Sequence, residues 1–244
     1  MRAACDLLGL RVATEQIDAL LRYLALLRRW NATYNLTAVR DPRAMVTQHL
    51  VDCLAAAAAL ERGRALGHGV RDGRVETSDG VQEIDAGKGD RGGRILDVGS
   101  GGGLPGVVLA ILRPKESVTC IDAVAKKAAF VRQVAGALGL ANLHAAHARV
   151  EAWRGDQPFD LITARAFGSL PDLVRLTVPL LKEKGVWMAM KGRVPTAEIA
   201  ALPPDIEAFH VEPLTVPGLD AQRCLVWMQR RHDTVPDPTA PPAG

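Results

Sequence analysis

Between residues 14 and 60 the apolar positions follow a helical period. Ile17, Leu20, Leu21, Leu24 and Leu27 recur at three- and four-residue intervals and make one face of a helix. Thr14 is placed to cap it, with Glu15 and Asp18 offsetting the helix dipole in the first turn. After the segment 30–41 a second helix is expected to open at Asp41-Pro42, where proline is tolerated, and to run through Met45, His49, Asp52 and an alanine run. From Ile95 to about Gln229 short apolar runs alternate with helical segments, the pattern of a parallel α/β sheet. Strands are predicted at 94–98, 117–122, 143–148, 159–163, 185–190, 209–214 and 224–229, and helices at 105–112, 125–138 and 170–182.

Helices separate the first five predicted strands. The last two are joined only by the loop 215–223 and can pair as an antiparallel hairpin. That order is the architecture of a Rossmann-like class I methyltransferase, an α/β fold with a seven-stranded, mostly parallel sheet, here carrying an N-terminal helical extension. The chain divides into a helical part at 1–61, an insert at 62–94, a cofactor domain at 95–232 and a tail at 233–244. The insert is rich in Gly, Arg and Asp with little to bury and is expected to be a mobile surface loop; the proline-rich tail is expected to be disordered.

Composition narrows the picture. The 244 residues are 48% apolar and 23% charged, the profile of a soluble globular chain. The longest uncharged apolar run, 104–112, falls far short of the roughly 20 residues of a membrane-spanning helix. Residues 1–10 lack the layout of a signal peptide. Cys5, Cys53, Cys120 and Cys224 form no Cys-x-x-Cys pair and no histidine cluster accompanies them, so no metal site or disulfide framework is expected and a reducing cytoplasm is. A net charge of +3 permits a nucleic-acid partner without requiring one, while 4% aromatic residues argue against a stacking platform for single strands.

The chemistry lies in the run Ile95-Leu96-Asp97-Val98-Gly99-Ser100-Gly101-Gly102-Gly103-Leu104-Pro105-Gly106, which follows a strand and opens a helix. Glycines there let the backbone turn tightly and approach a ligand, and the amides of the helix start favour polar groups. Residues 101–106 satisfy G-x-G-x-x-G, a weak dinucleotide signal when alone. Asp97, Gly99, Gly101 and Gly103 equally make the Asp-x-Gly-x-Gly-x-Gly arrangement of S-adenosylmethionine enzymes, whose loop wraps the methionine moiety while an acidic strand end answers its ammonium group. The second reading is favoured, because the Asp97 carboxylate would repel a pyrophosphate. Asp122, closing the next strand, can accept both ribose hydroxyls in either cofactor class, cap the following helix, or do both.

The later strand ends exclude some chemistries. Residues 159–167 lack the Asn/Asp-Pro-Pro-aromatic sequence of exocyclic amine methylation, and no cysteine follows a proline as a cytosine-C5 nucleophile commonly does. Cys120, inside a predicted strand, reads as an inert core thiol. Arg165 instead sets a cation at the carboxyl ends of the parallel strands, where open α/β sheets bind ligands. It can contact a phosphate or the O6/N7 edge of guanine, or make only a surface ion pair. Lys191 ends the next strand in the same way. Cations without an evident general base suit a nucleophile that carries a free lone pair, such as guanine N7, with catalysis mostly by positioning.

Four segments resemble the bacterial ribosomal RNA small subunit methyltransferase G family, also called glucose-inhibited division protein B. They are Trp30-Asn31-Ala32-Thr33-Tyr34-Asn35-Leu36-Thr37-Ala38-Val39-Arg40-Asp41-Pro42, His49-Leu50-Val51-Asp52, the glycine loop with Leu104-Pro105-Gly106, and Ala164-Arg165-Ala166-Phe167. The resemblance covers residues 14 to about 229 apart from the insert. It implies S-adenosylmethionine-dependent methylation of guanine N7 in a decoding-region loop of 16S rRNA, with the rRNA or the small ribosomal subunit as partner and a monomeric chain. It further implies that Gly99 and Leu104 line the cofactor, that Val150 and Glu151 bracket the adenine, and that Arg165 belongs to the cofactor site and faces the target base. Asn35, Thr37, His49 and Asp52 become lid or RNA-facing residues; otherwise Asn35 and Thr37 are loop hydrogen bonders and His49 and Asp52 a surface pair.

Three rivals remain: a small-molecule methyltransferase of this fold, a non-catalytic RNA-binding module and a dehydrogenase. A basic face from Arg22, Arg28, Arg29, Arg40 and Arg43 would favour RNA, and a closed apolar pocket over Arg165 a small substrate.

Overall fold

Helix α1 (Arg2–Leu7) leads into α2 (Thr14–Tyr34), whose buried row is Ile17, Leu20, Tyr23, Leu27 and Asn31. The row drifts from the expected one: Leu21 is 44% exposed, and Tyr23 and Asn31 point inward instead. Thr14 does not cap the helix but is its first residue; Gln16 reaches back to accept the Ala13 amide at 3.0 Å. Asp41 does cap α3 (Pro42–Met45), accepting the Ala44 amide at 2.7 Å. The single helix expected beyond it is interrupted, because Val46–Val51 forms a π-helical turn before α4 (Asp52–Ala65). Such turns cluster at functional sites, and this one carries His49. Residues 52–60 are buried on all sides, and the alanines let both neighbouring layers approach the helix.

The computed structural model describes residues 1–65, 74–77, 80–83, 92–155 and 157–231. Within the segment read as an insert, β1 (Arg74–Thr77) and β2 (Gly80–Glu83) form a separate antiparallel pair. Residues 62–65 of that segment continue α4 and 92–94 lead into the next strand; the mobility expected of 66–73, 78–79 and 84–91, and the disorder expected of the tail, fall outside the described residues.

The main domain comprises β3 (Arg94–Val98), α5 (Gly106–Leu112), β4 (Ser117–Asp122), α6 (Ala125–Leu138), β5 (Leu143–His147), β6 (Phe159–Arg165), α7 (Leu170–Thr177), β7 (Leu181–Lys191), α8 (Thr196–Ala200), β8 (Ile206–Pro213) and β9 (Cys224–Arg230). The sheet runs β5-β4-β3-β6-β7-β9-β8, with the first five strands parallel and β9 antiparallel to both neighbours. It is the seven-stranded, mostly parallel sheet expected from the sequence. Helix α7 stops at Thr177 and not at 182, since Pro179 lacks the amide needed to continue it, and β7 accordingly starts early.

Two cores flank the sheet. One gathers Leu20, Leu54, Val107 and Phe130 from the N-terminal helices, α5 and α6; the other holds Phe159, Leu173, Val174 and Trp187 around α7. Ile95 and Leu96, neighbours in β3, fall in different cores as alternate strand residues must. Strand order reverses between β3 and β6, the switch point at which α/β sheets open a ligand crevice. Val98 registers with Ala164 there, so the glycine turn and Arg165 begin side by side. Among the described residues no helix is long and apolar enough to cross a membrane.

Candidate active site

The turn after β3 is held from three sides. Tyr23 of α2, fully buried, donates its hydroxyl to the Gly102 carbonyl at 2.6 Å. Asp122, at the tip of β4, accepts the Gly101 amide at 3.0 Å and the Val124 amide at 2.8 Å. Asp97 accepts the Gly106 amide at 2.8 Å and so anchors the start of α5 to the strand that precedes it. Gly99 adopts a φ of +66° and lies against the Phe167 ring, where an added Cβ would come within 2.8 Å of Cδ2.

Above this turn lies a cavity of about 580 Å³, a size typical of cofactor sites. Its floor is Gly99, Ser100, Gly101, Gly102 and Leu104, with Lys127 at one end. At the other end stand Arg165, Lys191 and Arg223, and the roof is Thr37, Gln48, His49 and Asp52 from the N-terminal helices. Asp52 is buried and takes two arginines at once, Arg165 Nη1 on Oδ2 at 3.2 Å and Arg223 Nε on Oδ1 at 3.0 Å. Arg165 Nη1 also donates to the Gln48 carbonyl at 2.9 Å. Its other nitrogens carry no protein hydrogen bond among the described residues, which leaves three of its five N–H donors free. His49 Nε2 meets Thr37 Oγ1 at 2.8 Å, while Nδ1 is buried with no partner. Burial, followed by the nearby Arg165 charge, holds the imidazole below its ordinary pKa, so it is neutral at neutral pH.

Of the residues singled out in the sequence, the cavity brings together Gly99, Gly101, Leu104, Thr37, His49, Asp52, Arg165 and Lys191. His49 and Asp52 are not a surface pair: both are buried, on separate partners. Asp97 is not on the cavity wall. Its side chain is fully buried beneath the turn, where it holds the start of α5. Gly103 is off the wall as well, packed where a Cβ would meet Val107 and Val131. Asn35 is exposed and closes α2 in the left-handed conformation (φ 49°), with its side-chain oxygen accepting from Arg40 at 2.8 Å. Val150 and Glu151 form a short turn beyond β5, outside the cavity lining but next to the tip of β4, as the Ala148 amide bond to the Asp122 carbonyl at 3.2 Å attests. Lys191 is tied to Glu198 at 2.8 Å.

The family model for rRNA small subunit methyltransferase G matches residues 16–70 and 77–226 of this chain. Among relatives, the ribosomal RNA small subunit methyltransferase G of Leptothrix cholodnii is 54% identical, over 94% of each chain. That of Acidovorax ebreus is 52% identical over 94% of this chain and 93% of the relative. The chain belongs to the rRNA small subunit methyltransferase G family. Among solved structures, that of a mutant of MtNAS superposes with a TM-score of 0.51 at 13% identity, covering 89% of this chain and 75% of that one, a likeness of fold alone. The family match is broken only between residues 70 and 77 and continues through most of the segment read as an insert.

The cavity of this family member fits the methyl donor used by Rossmann-like methyltransferases. Gly101 lines it, and a Cβ there would touch nothing nearer than the Gly99 carbonyl at 3.9 Å, so the turn leaves space that a ligand can fill. Asp122, buried outside the cavity lining with Lys127 Nζ 3.8 Å from Oδ2, keeps a lone pair on each oxygen beyond the two amides it accepts. Four contributors went unseen in the sequence: Tyr23, Gln48, Lys127 and Arg223. Only Arg223 carried a signal, as a cation directly before the last strand, beside the register partner of Lys191.

Proposed function

We propose that this chain methylates N7 of a guanine in a decoding-region loop of 16S rRNA, with S-adenosylmethionine as donor. Bound S-adenosylmethionine supplies an electrophilic methyl carbon on a sulfonium. The glycine turn at Gly99, Gly101 and Leu104 holds its methionine moiety. Asp122 accepts from the ribose, and Val150 and Glu151 flank the adenine.

The observation that carries this reading is the arginine wall beside the turn. Arg165 is fixed by Asp52 and the Gln48 carbonyl with its remaining donors free, as a guanidinium must be to donate to the O6 of a guanine, leaving N7 open, or to a neighbouring phosphate. Guanine N7 has no proton to lose, so the reaction needs no general base. Among the described residues the site offers none in a ready position, since Asp52 is ion-paired with two arginines, His49 Nε2 is engaged by Thr37 and His49 Nδ1 is buried. What the residues supply is orientation.

A wall of His49, Asp52, Lys191 and Arg223 is polar and charged, which speaks against a small apolar substrate. Exposed Arg22, Arg28, Arg29 and Arg43 on the N-terminal helices, with Arg40 in the connection between α2 and α3, add a basic approach suited to RNA. The test is to map 7-methylguanosine in 16S rRNA from cells with and without the gene, and in rRNA treated with the purified chain and donor. Loss of one such nucleotide with the gene, and its return in vitro, is expected. Label on an amino group, a sugar or no nucleotide would overturn the reading.

A further inference from the structure

A second groove, of about 990 Å³, opens from the substrate end of the cavity and shares Lys191, Gly192 and Arg223 with it as a common lip. One wall is the segment leaving β7, through Arg193 and Val194 to α8; the other is Gln222 and Arg223, leading into β9. The two walls meet where Lys191 registers with Cys224, so the groove is built into the sheet and is not a loose loop.

Its chemistry is that of an anionic polymer site. The lining holds Lys191, Arg193 and Arg223 against one carboxylate, Glu198. Glu198 neutralises Lys191 at 2.8 Å and Asp52 holds Arg223 at 3.0 Å. Arg193 is exposed and has no ion-pair partner among the described residues. Val194, next to it, is 49% exposed, an apolar surface of the size a base or sugar can cover. The other end of the cavity, at the glycine turn and Lys127, is the donor's, so a polymer threaded past Arg165 leaves by the lip at Lys191 and Arg223.

We infer that this groove carries the single-stranded RNA flanking the methylated nucleotide, with Arg193 and Arg223 on successive phosphates and Val194 against a base. The inference rests on the RNA-methylation reading above. The competing path runs over the N-terminal helices, past Arg28 and Arg29.

The experiment measures binding of a labelled RNA oligonucleotide, containing the decoding-region loop, to the full chain across a range of salt, together with KM for rRNA and Kd for S-adenosylmethionine. Variants are Arg193→Glu, Val194→Asp and the double variant Arg28→Ala/Arg29→Ala; Arg193 and Val194 are exposed, so melting temperatures are expected to stay at the wild-type value. Arg193→Glu is expected to weaken RNA binding and raise KM about tenfold near 100 mM salt, and to lower the slope of log K against log salt by roughly 0.7, the share of one phosphate on a single strand. Donor Kd stays unchanged. Wild-type KM and salt slope in Arg193→Glu and Val194→Asp, with both altered in the double variant, would overturn the groove in favour of the helical path. A wild-type chain that binds the RNA with an Arg193-dependent slope yet methylates none of it would overturn the functional reading and leave the groove standing. A chain that binds no RNA sinks both.

Discussion

The Tyr23 hydroxyl lies 2.6 Å from the Gly102 carbonyl, with the tyrosine ring wholly enclosed between the long N-terminal helix and α6. The N-terminal helix is thereby coupled to the floor of the cavity. Burial, joined by nearby thiols and by Asp97, pushes the phenol well above its ordinary pKa, so it donates throughout the accessible pH range. Tyr23→Phe leaves the carbonyl without this donor and is expected to cost about 1–3 kcal/mol of stability. Because Gly102 lines the cavity, donor affinity is expected to fall several-fold as well. Urea unfolding and calorimetric titration with S-adenosylmethionine would check both, and a variant with wild-type donor affinity would uncouple the helix from the floor.

Gly99→Ala is expected to abolish donor binding while the sheet still folds. The left-handed backbone at Gly99 costs an alanine roughly 1–2 kcal/mol, and its Cβ would press to 2.8 Å from Phe167. Either the turn or the ring must move, and both border the cavity. Circular dichroism at the wild-type level with donor Kd raised at least tenfold is the expected pair of results; unchanged Kd would show that the turn tolerates a side chain.

What could be read from the sequence was what the chain encodes locally. β3, β4 and α6 occupy the expected bounds, because a run such as Val118 to Asp122 alternates cores and Gly139 ends α6 in the left-handed conformation. Residues brought together by distant folding were not legible in that way. Asp52 stays open in the sequence between an RNA-facing residue and half of a surface pair, because its partners stand 113 and 171 residues away. Tyr23 carries no signal in the sequence for the same reason, its acceptor being 79 residues on. Asp97 belongs to the glycine motif by spacing, but period and spacing cannot distinguish a carboxylate that faces a ligand from one that secures the turn beneath it.

Asp52→Asn tests the double arginine clamp. The carboxylate is buried while each guanidinium is about a quarter exposed, so part of the released charge can hydrate. The expected cost is therefore about 1–3 kcal/mol, below the full penalty of breaking a wholly buried pair. Arg165 also loses the partner that aims it. Methyl transfer at saturating rRNA and donor is expected to fall by more than tenfold, while Kd for the donor changes little. An equal fall in the two would assign Asp52 to the cofactor and not to the arginines.

Asp97 sets the last expectation, a dependence of stability on pH. Burial pushes its carboxyl up to about 7, against the opposing pull of the Gly106 amide and the Arg165 charge, and Oδ1 has no partner. Between the ordinary carboxylate pKa near 4 and about 7, the folded chain holds a proton that the unfolded chain has released. The stabilisation is thus fully present below the unfolded pKa and is lost as pH rises through the folded one, on the order of a few kcal/mol in all. Asp97→Asn keeps an acceptor for the Gly106 amide and stays neutral at every pH. Subtracting its unfolding free energy from that of the wild type cancels every other titrating group. The wild type is expected to lose ground to the variant between pH 5 and pH 8, by urea unfolding at both. A difference that does not change with pH would mean that Asp97 is ionised throughout and that its free oxygen finds a partner in solution.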